Sequence, residues 1–201
     1  MSTCTPPRSW VLPDEPVPVR LMTTIWADTA GIHDDLRQPE DVDAWLDAVG
    51  IDLAGSRATE AELAAAVRLR DAVRRLAAHV TGDRRAPAAS AMTDTDEAIQ
   101  TLNETVGHAP APRLVRHEDR LLIDLGTPGA AVKTGLAKVA EQSMRLLGGA
   151  EAARLRPCNA PGCVLYFVKT HPRREWCSVA CGNRARAARH YQRVRAGRET
   201  T

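Results

Sequence analysis

The chain has 201 residues, of which 44% are hydrophobic, 26% charged and 3% aromatic, and its formal net charge is +2. This length allows one domain of ordinary size and a small additional module. No run of about 18 apolar residues occurs, which excludes a membrane-spanning helix. The N-terminus lacks the basic start and following apolar stretch of a secretory signal. We therefore expect a protein of the reducing cytoplasm.

The net charge conceals an asymmetry between the two ends of the chain. Residues 154–201 carry 11 Lys and Arg against two Glu, a net charge of +9. Residues 1–153 carry 16 Lys and Arg against 23 Asp and Glu, a net charge of −7. An acidic body joined to a basic segment is the pattern expected when one end of a protein binds a polyanion.

The first 153 residues predict a leader and a mostly helical domain. Residues 1–18 include five prolines and predict a flexible leader. Residues 19–153 predict the domain, which opens at 19–27 with a strand or a short helix. Prolines, capping residues and glycines then predict four helices, at 39–49, 59–80, 93–106 and 127–147. Residues 113–117 and 120–125 predict a small β-hairpin whose apolar members are Leu114, Leu121 and Ile123.

The 59–80 helix has the clearest boundaries. Thr59 and Glu62 form a capping box at its start, and Gly82 suits its end. Elsewhere in the domain we find no phosphate-binding loop and no nucleophile motif, so we expect a protein that is not an enzyme.

Four cysteines dominate the C-terminal quarter of the chain. Cys158 and Cys163 enclose Asn-Ala-Pro-Gly, a turn sequence, and Cys177 and Cys181 are four residues apart, so a helix beginning near Cys177 brings both sulfurs to one face. Two close pairs separated by 13 residues suit a tetrahedral metal site. We predict zinc as a structural ion and leave two disulfides and an iron–sulfur cluster as alternatives.

The segment between the two pairs predicts a hairpin. Residues 164–168 are β-branched and aromatic, a polar turn follows, and residues 173–176 return toward the second pair. A turn with two ligands, a hairpin and a helix with two ligands is the order of a treble-clef zinc finger. Such a segment is too short for a core of its own, so the metal is expected to supply much of its folding energy.

The sequence around the second pair resembles a known family. Trp176-Cys177-Ser178 and Cys181-Gly182-Asn183-Arg184 resemble the CGNR zinc finger of bacterial stress-induced transcription regulators. In that family the finger follows an ABATE domain, and residues 69–76 (LRDAVRRL) are similar to that domain's long central helix. The resemblance implies an α+β protein with an ABATE-like, mostly helical domain over 19–153 and a zinc finger over 154–197.

The helix after the last cysteine is the candidate nucleic-acid-binding element. Regularly spaced arginines on a helix suit phosphates and guanine edges. The candidate contacts are Arg184, Arg186, Arg189 and Arg193 on the helix, Arg173 and Arg174 as auxiliaries, and Asn183. Asn183 is equally suited to a backbone hydrogen bond within the finger.

The resemblance implies a DNA-binding regulator whose N-terminal domain senses a signal or forms oligomers. Two alternatives stay open: an RNA-binding protein, and a finger that mediates protein contacts only. The sequence specifies no effector, and a homodimer is compatible with it although no heptad pattern predicts one.

Overall fold

The computed structural model describes residues 12–108, 113–124 and 131–199. Its α-helices are α1 (Val17–Met22), α2 (Pro39–Ala48), α3 (Glu60–Thr81), α4 (Thr95–Gly107), α5 (Ala131–Gly148) and α6 (Val179–Glu199). Its strands form three antiparallel pairs: β1 (Ile25–Ala27) with β2 (Ile32–Asp34), β3 (Arg113–His117) with β4 (Arg120–Asp124), and β5 (Leu155–Pro157) with β6 (Tyr166–Val168). The predicted fold class is confirmed: a mostly helical N-terminal region with small hairpins precedes a four-cysteine region.

The N-terminal core is built around α3, which packs against α1, α2, α4 and α5. Its start and end follow from local chemistry. The Thr59 hydroxyl accepts a hydrogen bond from the Glu62 N–H, and the Glu62 carboxylate accepts one from the Thr59 N–H at 2.8 Å. Gly82 ends the helix with φ +64°, a left-handed conformation that glycine adopts without strain. The capping predicted from the sequence is therefore confirmed.

The folded body begins before residue 19. Residues 1–11 of the predicted leader lie outside the described part of the chain, but Leu12 and Glu15 are buried and α1 starts at Val17. Leu12 packs in the apolar cluster that surrounds the cysteines. The end of the predicted leader therefore contacts the finger.

The predicted hairpin forms as β3 and β4, with Leu114 opposite Ile123. Its apolar side chains are exposed, at 69% for Leu114, 66% for Leu121 and 68% for Ile123. The predicted start of the following helix, at residue 127, lies outside the described residues. Within the described part of the chain, α5 begins at Ala131. No helix in the described ranges is long and apolar enough to cross a bilayer.

The hairpin predicted between residues 164–168 and 173–176 is wrong. β6 pairs instead with β5, the strand that precedes the first cysteine, with Leu155 opposite Val168. Both of these side chains are buried in the core of the helical domain, whereas Arg173 and Glu175 are exposed. Burial of the apolar strand therefore selected the partner.

Strand β6 connects two apolar clusters. Successive side chains of a strand point to opposite faces. Tyr166 and Val168 accordingly belong to the core formed by the helices, and Phe167 belongs to the cluster that contains the four cysteines. Trp26 of β1 also packs on this second cluster. The finger therefore shares its core with the helical domain.

Candidate metal centre

The four cysteines meet at one point. Cys158 follows β5, Cys163 ends the tight turn after it, Cys177 precedes α6, and Cys181 lies in the first turn of α6. All four are buried, with exposed fractions between 0% and 7%, and their sulfurs all lie within 4.8 Å of one another. The sequence prediction of a single four-sulfur cluster is confirmed, and this cluster is positioned to bind a metal ion.

The sulfur–sulfur distances fit a metal ion and not disulfides. Sγ of Cys177 lies 3.9 Å from Sγ of Cys163 and 3.4 Å from Sγ of Cys181. A tetrahedron with metal–sulfur bonds of about 2.3 Å has edges of about 3.8 Å, whereas a disulfide bond measures about 2.05 Å. None of the four cysteines forms a disulfide bond. The spacing therefore supports the metal interpretation over the two-disulfide alternative.

Local backbone conformation and hydrogen bonds position the two cysteines of each pair. In the turn from Cys158 to Cys163, which we call the knuckle, Gly162 has φ +70° and the Cys163 N–H donates to the Ala160 carbonyl at 2.9 Å. At the second pair, α6 begins at Val179, so Cys177 lies outside the helix. The Ser178 hydroxyl accepts from the Cys181 N–H at 3.2 Å and caps the helix start. The helix therefore begins two residues later than a start at Cys177.

The thiols perturb one another because they are so close. Hydrogen bonds from Cys163 and then Cys177 lower the pKa of Cys158 to about 2. A hydrogen bond to Cys158 raises the pKa of Cys163 to about 12, and a second hydrogen bond, between Cys177 and Cys158, raises the pKa of Cys177. One thiolate is thus favoured in the absence of a cation. Four thiolates at these distances need a cation at their centre.

Two donors support the sulfur charge from outside the cluster. The Cys177 N–H lies 3.5 Å from Sγ of Cys158, and Nη2 of Arg184 lies 3.2 Å from Sγ of Cys181. Arg184 was predicted as a nucleic-acid contact. The structure directs its guanidinium to a ligand sulfur, where it would partly neutralise the charge of a four-thiolate centre.

Arg85, which no sequence motif singles out, connects the helical domain to the knuckle. Its Nη1 donates to the carbonyl oxygens of Cys158 at 2.7 Å and Cys163 at 2.8 Å. Its Nε and Nη2 bond the Asp83 carboxylate at 2.7–3.1 Å, and the Tyr166 hydroxyl donates to the same carboxylate at 2.8 Å. One guanidinium therefore orients the backbone of both knuckle ligands, a typical role for residues outside the first coordination shell.

The charges in this network stabilise one another. Burial favours the neutral form of Asp83, but the hydrogen bonds from Arg85 outweigh it and lower the Asp83 pKa. Burial, followed by the hydrogen bond to Asp83, raises the pKa of Tyr166 to about 12. No spacing in the sequence indicates this network, because Arg85 is 73 and 78 residues away from the cysteines whose carbonyls it contacts.

Arg174, predicted as an auxiliary nucleic-acid contact, is engaged inside the finger. Its guanidinium pairs with the buried Glu15 carboxylate at 2.5 Å and donates to the Val168 and Cys177 carbonyls at 3.1 and 3.0 Å. It also lies 4.9 Å from the centre of the Phe167 ring. These contacts give Arg174 a structural role, and the neighbouring Arg173 remains exposed.

We expect Arg174→Gln to lower the free energy of unfolding by about 3 kcal/mol, because it leaves the Glu15 carboxylate buried without its cation. Arg173→Gln, the matched neighbour, is expected to change it by less than about 0.5 kcal/mol. Urea denaturation of the metal-loaded proteins measures both. Equal losses in the two variants would contradict a structural role specific to Arg174.

The remaining candidate contacts lie along α6. Arg186, Arg189 and Arg193 are exposed. Arg189 lies over the Trp176 ring at 5.7 Å, and the Asn183 side chain accepts a hydrogen bond from Arg186. Asn183 is exposed, and the hydrogen bond that its side chain accepts comes from the Arg186 side chain rather than from the finger backbone. The structure therefore brings one row of exposed arginines onto the helix that starts at the metal centre.

Comparison with known families separates the chain into the same helical domain and zinc finger. The ABATE family model, described as "Putative stress-induced transcription regulator", matches residues 15–150, about two thirds of the chain. The CGNR zinc finger model matches residues 154–194. A search of curated proteins found no match. The change from one match to the other falls in the short connection between α5 and β5.

Proposed function

Since the chain belongs to the ABATE family and ends in a CGNR zinc finger, we propose that it is a zinc-stabilised transcription regulator that binds DNA through α6. The single observation that carries the proposal is an exposed arginine-bearing helix whose first turn includes a metal ligand. The helical domain would then sense a signal or mediate oligomerisation. The family matches and the cysteine cluster support a metal-binding member of a regulator family.

The exposure of α6 supports a role in binding a partner. Ala185 is its last buried residue in the described part, and residues 186–196 have half-buried or exposed side chains, with Tyr191 at 70%. Residues 186–199 extend about 21 Å at 1.5 Å per residue. A helix of this size fits the major groove, where arginines bind phosphates and guanine edges. We call residues 186–199 the C-terminal arm.

Zinc is the proposed metal, and its role is structural. Four sulfur ligands in tetrahedral positions suit zinc or an iron–sulfur cluster. With four cysteines the coordination shell is complete, so no position is open for a catalytic water. We accordingly propose a non-enzymatic protein of the reducing cytoplasm. Metal analysis of purified protein should give one zinc per chain, and visible absorption from an iron–sulfur cluster would contradict the assignment.

We expect the double variant Arg186→Gln/Arg193→Gln to weaken duplex DNA binding by at least about tenfold near physiological salt. Each lost phosphate contact should also reduce the slope of log affinity against log salt by about 0.9. Fluorescence anisotropy over a salt series measures both quantities. Arg145→Gln on α5, which removes an exposed arginine paired with Glu141, is the matched control and should leave both unchanged.

The alternatives give different results in the same assay. A structured RNA that outcompetes duplex DNA at fixed salt would favour the RNA-binding alternative, since a basic helix also binds the phosphates of RNA. Absence of binding to either nucleic acid at low salt would leave the protein-contact alternative. A flat salt dependence would contradict phosphate binding by the C-terminal arm.

A further inference from the structure

A cavity of about 190 Å³ lies where the connection between α3 and α4 meets β6. We call it the junction cavity. The polar side chains that line it include Arg75 on α3, Arg84, Arg85, Ser90 and Thr93 on the connection, and Tyr166 on β6. Its walls thus come from both the helical domain and the finger, and Arg85 is the residue that contacts the knuckle.

The cavity has an excess of positive charge. Three arginines line it against one carboxylate, Asp83, whose oxygens already accept from Arg85 and Tyr166. Arg75 donates to the neutral Thr95 hydroxyl, and its Nε has no partner among the described residues. Arg84 is exposed and makes no ion pair within the described ranges. Two guanidinium charges therefore lack a counter-charge at one concave site.

The position of these charges gives the cavity a connection to the metal centre. All of the Arg85 donor groups are engaged, with Asp83 and with the carbonyls of Cys158, Cys163 and Leu165. An anion would therefore bind Arg84 and Arg75 without displacing Arg85. Arg84 immediately precedes Arg85, so an anion between Arg84 and α3 would fix the backbone from which Arg85 reaches the knuckle.

We propose that the junction cavity binds a small oxyanion, and that the anion and the metal bind with positive cooperativity through Arg85. This inference rests on the metal centre of the proposed function and not on DNA binding. Anion binding stabilises the loaded, folded state and leaves the unfolded chain unaffected. By reciprocity, the metal-loaded protein binds the anion more tightly than the metal-free protein.

The test uses the full zinc-loaded chain, with inorganic phosphate as the probe and chloride at equal ionic strength as the reference. The measurement is the rate of zinc transfer to a chromogenic chelator. At a phosphate concentration about ten times its dissociation constant, transfer is expected to slow by up to about tenfold. The same measurement is repeated with succinate. Whether phosphate, succinate or both slow the transfer of zinc identifies which oxyanions the cavity binds.

Variants locate the effect. Arg84→Gln removes an exposed guanidinium and should abolish the slowing, and Arg84→Lys, which keeps the charge, should retain part of it. Arg186→Gln/Arg193→Gln on the C-terminal arm should retain all of it, so loss of DNA binding and loss of the anion effect are separable. Equal slowing in the native protein and Arg84→Gln, or no slowing by either oxyanion, would overturn the proposal.

Discussion

Removal of the metal from the full chain is expected to destabilise the helical domain together with the finger. Leu155, Tyr166 and Val168 belong to the finger by sequence but are buried in the core around α3. Structural zinc contributes about 10–16 kcal/mol of apparent binding free energy in small finger peptides. Loss of the ion would release β5 and β6 and expose the part of the helical core that they cover.

Thermal unfolding with zinc and with excess chelator measures this effect. We expect one cooperative transition in the loaded protein and a lower midpoint, for the helical signal as well, after chelation. Cys181→Ser should reproduce the chelated state, whereas Cys4→Ser, which removes a cysteine outside the matched zinc finger segment 154–194, should match the native protein. An unchanged helical transition in Cys181→Ser would mean that the finger folds as an independent module.

Arg85→Gln is expected to lower both the free energy of unfolding and the metal affinity. The Asp83 side chain is only 3% exposed and would lose its cation, which costs about 3–5 kcal/mol for a buried pair. The carbonyls of Cys158 and Cys163 would also lose their shared donor. Loss of such outer-shell partners typically lowers metal affinity by about 10–100-fold.

A second variant separates the two consequences of losing Arg85. In Asp83→Asn/Arg85→Gln the buried charge is removed with its partner, so part of the stability should return. Metal affinity should stay low, because the knuckle carbonyls still lack their donor. Denaturant unfolding and competition with a chelator measure the two quantities, and Arg173→Gln is the control at an exposed arginine. Native-like metal affinity in Arg85→Gln would contradict a role in orienting the knuckle.

Local patterns explain what could be predicted of the fold. The Thr59–Glu62 capping box and Gly82 delimited α3, because helix ends depend on side chains within a few residues of them. The two cysteine pairs indicated one metal site for the same reason, since each pair is set by its own turn. The charge asymmetry between residues 1–153 and 154–201 likewise follows from the amino-acid composition alone.

The sequence by itself therefore determined helices α2 to α5, the four-sulfur cluster and the position of the basic helix. The tertiary structure alone decided that β6 pairs with β5, that Arg174 binds Glu15 and that Arg85 contacts the knuckle. The physical reason is sequence distance. Arginines on the surface and in buried ion pairs look alike in a sequence, and the burial that distinguishes them arises only when segments far apart in the chain pack together.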